Sequence, residues 1–432
     1  MKISPARIAA FEILWKIESE RAFSSVLLPL YEAGLSMQDR ALCHQLTLGI
    51  LRKQLYLDKI IGNFTKGKKL DPAVRIAARV GLYQLLFLGR IPNYSAINES
   101  VNLAHYAKKT SAKGFVNAIL RRAIRETVQL QYSSEIERIS IETSHPQWLI
   151  QKWMERFGIE ETERLAVSNN EVPQIGFRFT AKSLRKEATE DGLRKSEYVE
   201  GCYLAHRVDD EMLELAGKGD IYFQDEASQM VAGTVDLHDG IKLLDVCAAP
   251  GSKATLIAER RMGNAATMVA GDLHWRRVQF LRDNCRKQGV GYVDVLQYDA
   301  ERSLPFANES FDVVLLDAPC SGTGTIRHNP EIRYFLKSED IGELSQKQRV
   351  LLQNASKVLQ PGGRLIYSTC SLEMEENEHV CAGFLDACPQ FQRVDPNVHE
   401  RFVNAEGFAQ TYPHRDNMDG FFIASFESVK AV

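Results

Sequence analysis

The sequence is poor in cysteine for its length, with eight in 432 residues and no Cys-x-x-Cys pair. A disulfide framework and the common zinc and thiol-redox motifs are therefore excluded. No stretch approaches the ~18 consecutive apolar residues of a membrane span, and the start, with Lys2, Pro5, Arg7 and Glu12, lacks the apolar block of a signal peptide. A cytosolic protein with no membrane partner is expected. Internal repeats, low-complexity segments and the dinucleotide pattern Gly-x-Gly-x-x-Gly are also missing, which argues against an NAD-type oxidoreductase. What is present is ample core-building material in a chain longer than the roughly 100 to 200 residues of one domain, so two or three domains are expected.

One sign of charge is scarce at the front. Residues 1 to 130 carry 20 Lys and Arg against 9 Asp and Glu, a balance of +11, while the remaining residues stand at −14. A segment this basic suits a polyanion such as nucleic acid. Its pattern is helical from Ser4 to about Val128. Ser4 with Pro5 opens one helix with a stripe of Ile8, Phe11, Leu14 and Trp15, and Asp71 with Pro72 opens another toward Phe87. A third, Lys113 to Val128, sets Phe115, Ile119 and Ala123 against Arg121, Arg122 and Arg125.

Residues 131 to 235 read as a small α+β connecting module. Pro146 opens a helix with Leu149, Trp153 and Phe157 at four-residue intervals and Gly158 as its stop, and the tryptophans there are read as core. Gly176 to Thr180 and Ile221 to Phe223 read as strands, and Asp225 as a helix cap.

From 236 to 432 a βα alternation takes over, centred on Ile241 to Lys253. Leu243 to Val246 is an apolar strand, Cys247-Ala-Ala-Pro-Gly-Ser252 a compact turn open to close approach by a ligand, and Thr255 to Arg261 a helix beginning. Four more strands follow, Thr267 to Ala270, Val293 to Gln297, Phe311 to Leu316 and Arg364 to Tyr367. They lead to Asp272, Asp299, Asp317-Ala-Pro-Cys320 and Ser368-Thr-Cys370-Ser371. Polar or reactive groups thus gather at the carboxyl ends of five strands, the edge where parallel sheets bind ligands. A helix capped by Ser338, with Ile341, Leu344, Leu351, Ala355 and Val358 inward and Pro361-Gly-Gly363 as its end, joins the two cysteine-bearing strands. They are therefore expected side by side. Phe421 to Phe426 supplies a closing strand. Cys43, Cys285, Cys381 and Cys388 read as small core residues.

Asp272 lies where a ribose hydroxyl pair is accepted and Asp299 where an adenine edge is read. A compact first loop with Lys253 suits a nucleoside cofactor ending in an amino acid rather than a pyrophosphate, so S-adenosyl-L-methionine fits. The cysteine after Pro319 then points to a covalent route. Carbon 5 of a pyrimidine is a poor nucleophile until a thiolate adds to carbon 6. Chemistry alone does not rank Cys320 against Cys370.

Two resemblances complete the reading. Asp39-Arg-Ala-Leu42 through Leu48-Gly-Ile-Leu-Arg52, Val80-Gly-Leu-Tyr-Gln-Leu85, Ile91-Pro92 and Lys113-Gly-Phe-Val-Asn-Ala-Ile-Leu-Arg-Arg122 resemble the NusB-type RNA-binding domain. Asp245-Val-Cys-Ala-Ala-Pro-Gly-Ser-Lys253, Asp317-Ala-Pro-Cys-Ser-Gly-Thr-Gly324, Tyr367-Ser-Thr-Cys-Ser371 and Glu375-Glu-Asn-Glu378 resemble the RNA cytosine-5 methyltransferases of the NOL1/NOP2/Sun family. The NusB-like front narrows the likeness to the bacterial Sun branch, which modifies small-subunit (16S) ribosomal RNA. Ser252 departs from that family's second glycine but is small enough to leave binding intact.

The resemblance implies an all-α NusB-like domain over 1–130, the connecting module over 131–235 and a Rossmann-like methyltransferase domain over 236–432. It implies Cys370 as nucleophile, Cys320 as the group that assists release, Asp317 near the cytosine amino group and N3, and Lys253 as a further catalytic residue. The cofactor would be held by Cys247, Ala248, Ala249, Pro250, Gly251, Ser252, Lys253, Asp272, Arg277, Asp299 and Asp317. The expected partner is small-subunit ribosomal RNA before the subunit is fully assembled, and the expected state is a monomer. An RNA-binding factor with an inactive methyltransferase domain, or an enzyme acting on another RNA such as tRNA, is the alternative. DNA cytosine-5 enzymes attack from a Pro-Cys pair, which here would make Cys320 the nucleophile.

Overall fold

In the computed structural model, residues 3–126, 129–183, 193–260 and 266–429 are described. Two compact units emerge, residues 1–171 with 326–336, and residues 172–325 with 337–432. This division cuts the expected connecting module at 171, so its first three helices fall in the first unit and its strands, with two further helices, in the second.

The first unit is helical. Its elements are α1 (Pro5–Glu20), α2 (Ser24–Glu32), α3 (Met37–Arg52), α4 (Gln54–Thr65), α5 (Pro72–Phe87), α6 (Asn93–Tyr106), α7 (Lys113–Arg125), α8 (Glu135–Thr143), α9 (Gln147–Phe157) and α10 (Ile159–Ser168). Asp71 caps α5 as expected, accepting from the Ala73 amide. In α1 the inner stripe runs through Phe11, Ile13, Leu14 and Ile17, whereas Trp15 is exposed. The 3.6-residue period carries position 15 off the stripe once Ala6, Ala10 and Ile13 define it. The expected helix ends at Val128 and Arg261 lie outside the described residues.

Residues 326–336 leave the second unit directly after the Asp317–Gly324 motif and join the first. They are held there by buried polar contacts rather than by surface contact. Glu331 accepts from the amide and hydroxyl of Ser24, and Arg333 donates to the carbonyls of Thr143 and Asn169 and to the Asn170 side chain. Burying such groups is tolerable only because each has partners.

The second unit begins with β1 (Ile175–Phe179), β2 (Arg194–Lys195), β3 (Tyr203–Ala205), α11 (Asp210–Lys218), β4 (Ile221–Phe223) and α12 (Glu226–Gly233). The four strands form an antiparallel sheet in the order β2-β3-β1-β4. There follow β5 (Lys242–Asp245), α13 (Ser252–Glu259), β6 (Thr267–Asp272), α14 (Trp275–Lys287), β7 (Asp294–Gln297) and β8 (Phe311–Asp317). After α15 (Ile332–Phe335) of the first unit come α16 (Ser338–Lys357), β9 (Leu359–Thr369), α17 (Glu378–Ala387), β10 (Phe391–Val394), β11 (Ala409–Gln410), α18 (Pro413–Asp416) and β12 (Phe422–Ser428).

The large sheet runs β10-β12-β9-β8-β5-β6-β7, with β11 paired to β12. Strands β5 to β9 are mutually parallel, and β12 closes antiparallel on β9. The order reverses at β5, whose neighbours are β6 and β8, which makes the loop after β5 the switch-point cleft of the sheet.

Two local expectations are corrected. Lys337 rather than Ser338 occupies the cap position of α16, because the Asp340 carboxylate accepts the Lys337 amide and pulls the start one residue back. Helix α16 ends at Lys357, and Pro361-Gly-Gly363 lies inside β9. Phe311 pairs with Leu359 but Val313 with Arg364, so these residues are absorbed as an irregularity in the β8 pairing.

Arg178 of β1 ties the small sheet to the large one. Its guanidinium, almost wholly buried, donates to Glu259, Thr255, Gln224 and Gln288. Removing one partner of a buried ion pair strands the other. Arg178→Met should therefore cost about 2 to 3 kcal/mol in urea unfolding of the second unit, the Glu259 partner being partly exposed. A loss under about 1 kcal/mol would mean the hub behaves like a surface pair.

Candidate active site

The site grows from the carboxyl ends of β5, β6, β8 and β9. After β5 the chain turns through Cys247 to Gly251 into α13. The turn is closed by the Gly251 amide donating to the Ala248 carbonyl at 2.7 Å, and the Ala248 amide donates to Gly271 of β6. Gly251 has φ +105°, and a Cβ there would press on Leu281 at 2.8 Å, so only glycine suits this corner.

Three carboxylates surround this turn. Asp245 is buried, and neither of its oxygens has a hydrogen-bond partner in good geometry. Burial, reinforced by the charge of Asp317, pushes its carboxyl up to about 8. Asp272, at the end of β6, is also buried, and its carboxylate lies 3.4 Å from Arg277 and accepts from the His274 amide. Asp317, at the end of β8, accepts from Lys253 Nζ at 2.6 Å and Ser368 Oγ at 2.8 Å. Burial works against the Lys253 ammonium, but the charges of Asp317, Cys370 and Asp245 outweigh it and hold its pKa above the usual lysine value. Its Nζ also sits 5.1 Å from the centre of the Phe421 ring.

Strands β8 and β9 are neighbours, as expected from the crossover helix, and their end loops bring the two sulfurs together. Cys320 Sγ and Cys370 Sγ are 3.3 Å apart. The hydrogen bond to Cys370, then burial, then the charges of Cys370, Glu376 and Asp317 push the Cys320 thiol well above the ordinary cysteine value.

Glu376 holds the two loops in register. It is fully buried, and its carboxylate accepts from the Ser321 amide (2.9 Å), Ser321 Oγ (2.5 Å), Ser371 Oγ (2.5 Å) and Gln348 Nε2 (2.9 Å). One carboxylate thus links the residue after each cysteine to α16. Gly324 tightens the same joint, since its amide donates to the Cys370 carbonyl and a Cβ would stand 1.9 Å from the Gly420 carbonyl oxygen.

Of the residues singled out from sequence, Lys253, Asp317, Cys320 and Cys370 form one cluster, with Ser368 as an added member. Ala249, Asp272 and Arg277 form a second, in which Arg277 donates to the Ala249 carbonyl at 2.6 Å and so braces the turn. Asp299 stands apart at the end of β7, capping the Glu301 amide and 3.3 Å from Arg302. Asp245 and Glu376 lay inside the quoted motifs without a role. Their signal, an acidic residue closing a strand and another amid Glu375-Glu-Asn-Glu378, is visible in sequence, but burial and partners are not.

A compact turn at the switch point, ringed by three carboxylates, fits a cofactor that carries positive charge at its reactive sulfur and at an amino-acid end. S-adenosylmethionine has both. Fold and site together are those of an S-adenosylmethionine-dependent methyltransferase behind a NusB-like helical domain.

The family model described as 16S rRNA methyltransferase RsmB/F matches residues 232–427, and the NusB family model matches residues 4–125. "Probable ribosomal RNA small subunit methyltransferase B" of Bacillus subtilis (strain 168) is 33% identical over 447 residues, covering 98% of this chain and 99% of its own. The ribosomal RNA small subunit methyltransferase B of Pseudomonas putida is 34% identical over 443 residues, with the same coverage. The crystal structure of PH0851 aligns over 99% of this chain and 100% of its own, with TM-score 0.83 and 28% identity. NSun6 from Pyrococcus horikoshii, solved with SFG, shares the fold at TM-score 0.57 and 22% identity, over 66% of this chain and 99% of its own. The chain belongs to the ribosomal RNA small subunit methyltransferase B family. Among the described residues no helix is long and apolar enough to cross a membrane.

Two tests follow from this geometry. With its carboxyl near 8, Asp245 carries a proton at neutral pH, and a cationic cofactor beside it favours the ionised form. Cofactor binding should release a proton and tighten from pH 6 to 7.5, by at most about tenfold per pH unit. Asp245→Asn should remove this slope, and calorimetry showing the same slope in both proteins would place Asp245 outside the cofactor's reach. Glu376→Ala leaves both cysteine loops without their common acceptor. Its turnover should fall on the order of 100-fold through lost alignment while cofactor affinity holds, and unchanged turnover would show that the loops keep their register without it.

Proposed function

We propose that the protein transfers the methyl group of S-adenosylmethionine to carbon 5 of a cytosine in small-subunit (16S) ribosomal RNA through a covalent cysteine adduct. The observation that carries this reading is the pair of sulfurs 3.3 Å apart at the ends of adjacent parallel strands, beside the Lys253–Asp317 pair. Methylation of an exocyclic amine needs no thiol, whereas carbon 5 needs a nucleophile at carbon 6.

The assignment of the two sulfurs rests on the family resemblance, and the surroundings of Cys320 support it. The hydrogen bond to Cys370, burial and the charges of Cys370, Glu376 and Asp317 push the Cys320 thiol up, which disfavours it as the attacking thiolate. Cys370 is accordingly assigned as nucleophile and Cys320 as the group that assists release, in agreement with the family resemblance. The bound cofactor supplies an electrophilic methyl group.

The Cys370 thiolate would add to carbon 6, and the ring electrons displaced to carbon 5 would take the methyl group as its bond to the cofactor sulfur breaks, leaving S-adenosylhomocysteine. The carbon 5 proton then leaves to solvent, assisted by Cys320, and its electron pair restores the ring double bond as the bond from carbon 6 to sulfur breaks and returns the thiolate. Asp317, steadied by Ser368, accepts from the cytosine amino group, and Lys253 offsets the negative charge that develops on the ring. The turn from Cys247 to Ser252, with Asp272, Arg277 and Asp299, holds the cofactor. We assign residues 1–130 to RNA binding, 131–235 to the connecting module and 236–432 to the methyltransferase, acting as a monomer on RNA not yet fully assembled into the subunit.

Cys370→Ala should give neither product nor adduct. Cys320→Ala should methylate once and stay attached to its RNA, visible as a slow band in denaturing gels in the presence of S-adenosylmethionine. An adduct with Cys370→Ala and none with Cys320→Ala reverses the roles. Two variants that both stay active without trapping RNA would end the covalent mechanism.

A further inference from the structure

Helix α14 carries surface chemistry that neither the fold nor the cofactor uses. Its inner side is complete with Val278, Leu281 and Cys285 buried. Its outer side exposes Phe280 to 65% and Trp275 to 50%. In 13 residues it has Arg276, Arg277, Arg282, Arg286 and Lys287 against one acid, Asp283, although residues 131 to 432 as a whole are acidic. A single exposed apolar residue is ordinary. Two aromatics interleaved with five cations on one helix are a recognisable combination.

Helical spacing puts Arg276, Phe280 and Lys287 on one face, with Trp275, Arg282 and Arg286 on the adjoining one. The Arg282 guanidinium lies 5.9 Å over the Trp275 ring and donates to the Val295 carbonyl of β7, the outermost strand of the sheet. Arg277 reaches the Ala249 carbonyl and Asp272, and the other three cations, Arg276, Arg286 and Lys287, are exposed. The helix starts three residues after Asp272, on the same sheet edge as the two cysteines. With β5 and β6 next beyond β8, and neighbouring strands about 4.8 Å apart, its first turn lies on the order of 10 to 15 Å along the rim from the thiols. A strand of RNA a few nucleotides long spans that distance.

We propose that the outer face of α14 is a docking surface for single-stranded RNA flanking the target nucleotide, with Phe280 and Trp275 stacking bases and Arg276, Arg286 and Lys287 meeting phosphates. A base drawn out of its stack leaves unstacked neighbours, and aromatic side chains beside cations take up such bases without regard to sequence. The site rests on RNA being the substrate and is independent of which cysteine attacks.

The test uses the full chain with small-subunit ribosomal RNA transcribed in vitro and a labelled single-stranded RNA of about 20 nucleotides, enough to span one binding site. Phe280→Ala should weaken binding of both by roughly tenfold at every salt concentration, the loss of one stacked base. Arg276→Ala with Lys287→Ala should flatten the dependence of log affinity on log salt by about 1 to 2. In both variants the KM for RNA should rise while turnover at saturating RNA, cofactor affinity and melting temperature stay at wild-type values.

Unchanged RNA affinity and salt slope in the combined variant would overturn the proposal. So would normal binding to free RNA with impaired methylation of ribosomal particles only, which would make the face a contact for a protein. A wild-type protein that neither binds nor methylates RNA would instead overturn the proposed function, an outcome distinct from variants that bind as well as wild type.

Discussion

The reactive part of the protein depends on the parallel pairing of β8 with β9. That pairing sets Asp317 opposite Ser368 and brings two end loops of unrelated sequence side by side. Strand pairing alone leaves loops free to splay. The buried carboxylate of Glu376 removes that freedom by accepting from both, so that two sulfurs 50 positions apart in sequence sit in contact. A buried carboxylate is costly unless its lone pairs are used, and here four donors use them. The same interaction therefore supplies rigidity and part of the charge that pushes the Cys320 thiol up.

Charge is arranged with comparable economy around β5. Asp245, Asp272 and Asp317 converge on one turn, and Lys253 neutralises only Asp317 among them at hydrogen-bond distance. The strain of this arrangement falls on Asp245, the most buried and least partnered of the three, whose carboxyl is driven toward neutral pH. A ligand bearing positive charge relieves that strain.

Much of the fold was legible beforehand because its signals are local. Apolar runs ending in Asp245, Asp272 and Asp317 are strands whatever surrounds them, and Asp71 before Pro72 starts a helix for reasons contained in those two residues. The errors fell where neighbours outweigh local preference. Pro361-Gly-Gly363 reads as a helix stop, yet β8 recruits it into a long irregular strand. Trp15 reads as core, yet the stripe of α1 turns away from it. Residues 326–336, between the Asp317–Gly324 motif and a crossover helix in sequence, are drawn into the helical unit by Glu331 and Arg333, whose partners lie some 160 to 300 positions away.

The sequence by itself determined the class of fold, the compact turn after β5 and the candidate cysteines, because each is a matter of short-range pattern and residue chemistry. Only the tertiary structure decided the distance between the sulfurs, the place of Glu376 as the common acceptor of their loops, the bracing of the turn after β5 by Arg277 and the raised carboxyl of Asp245. Those properties depend on burial and on which charges face one another across strands. Both are set by packing between distant segments, and no local pattern encodes them.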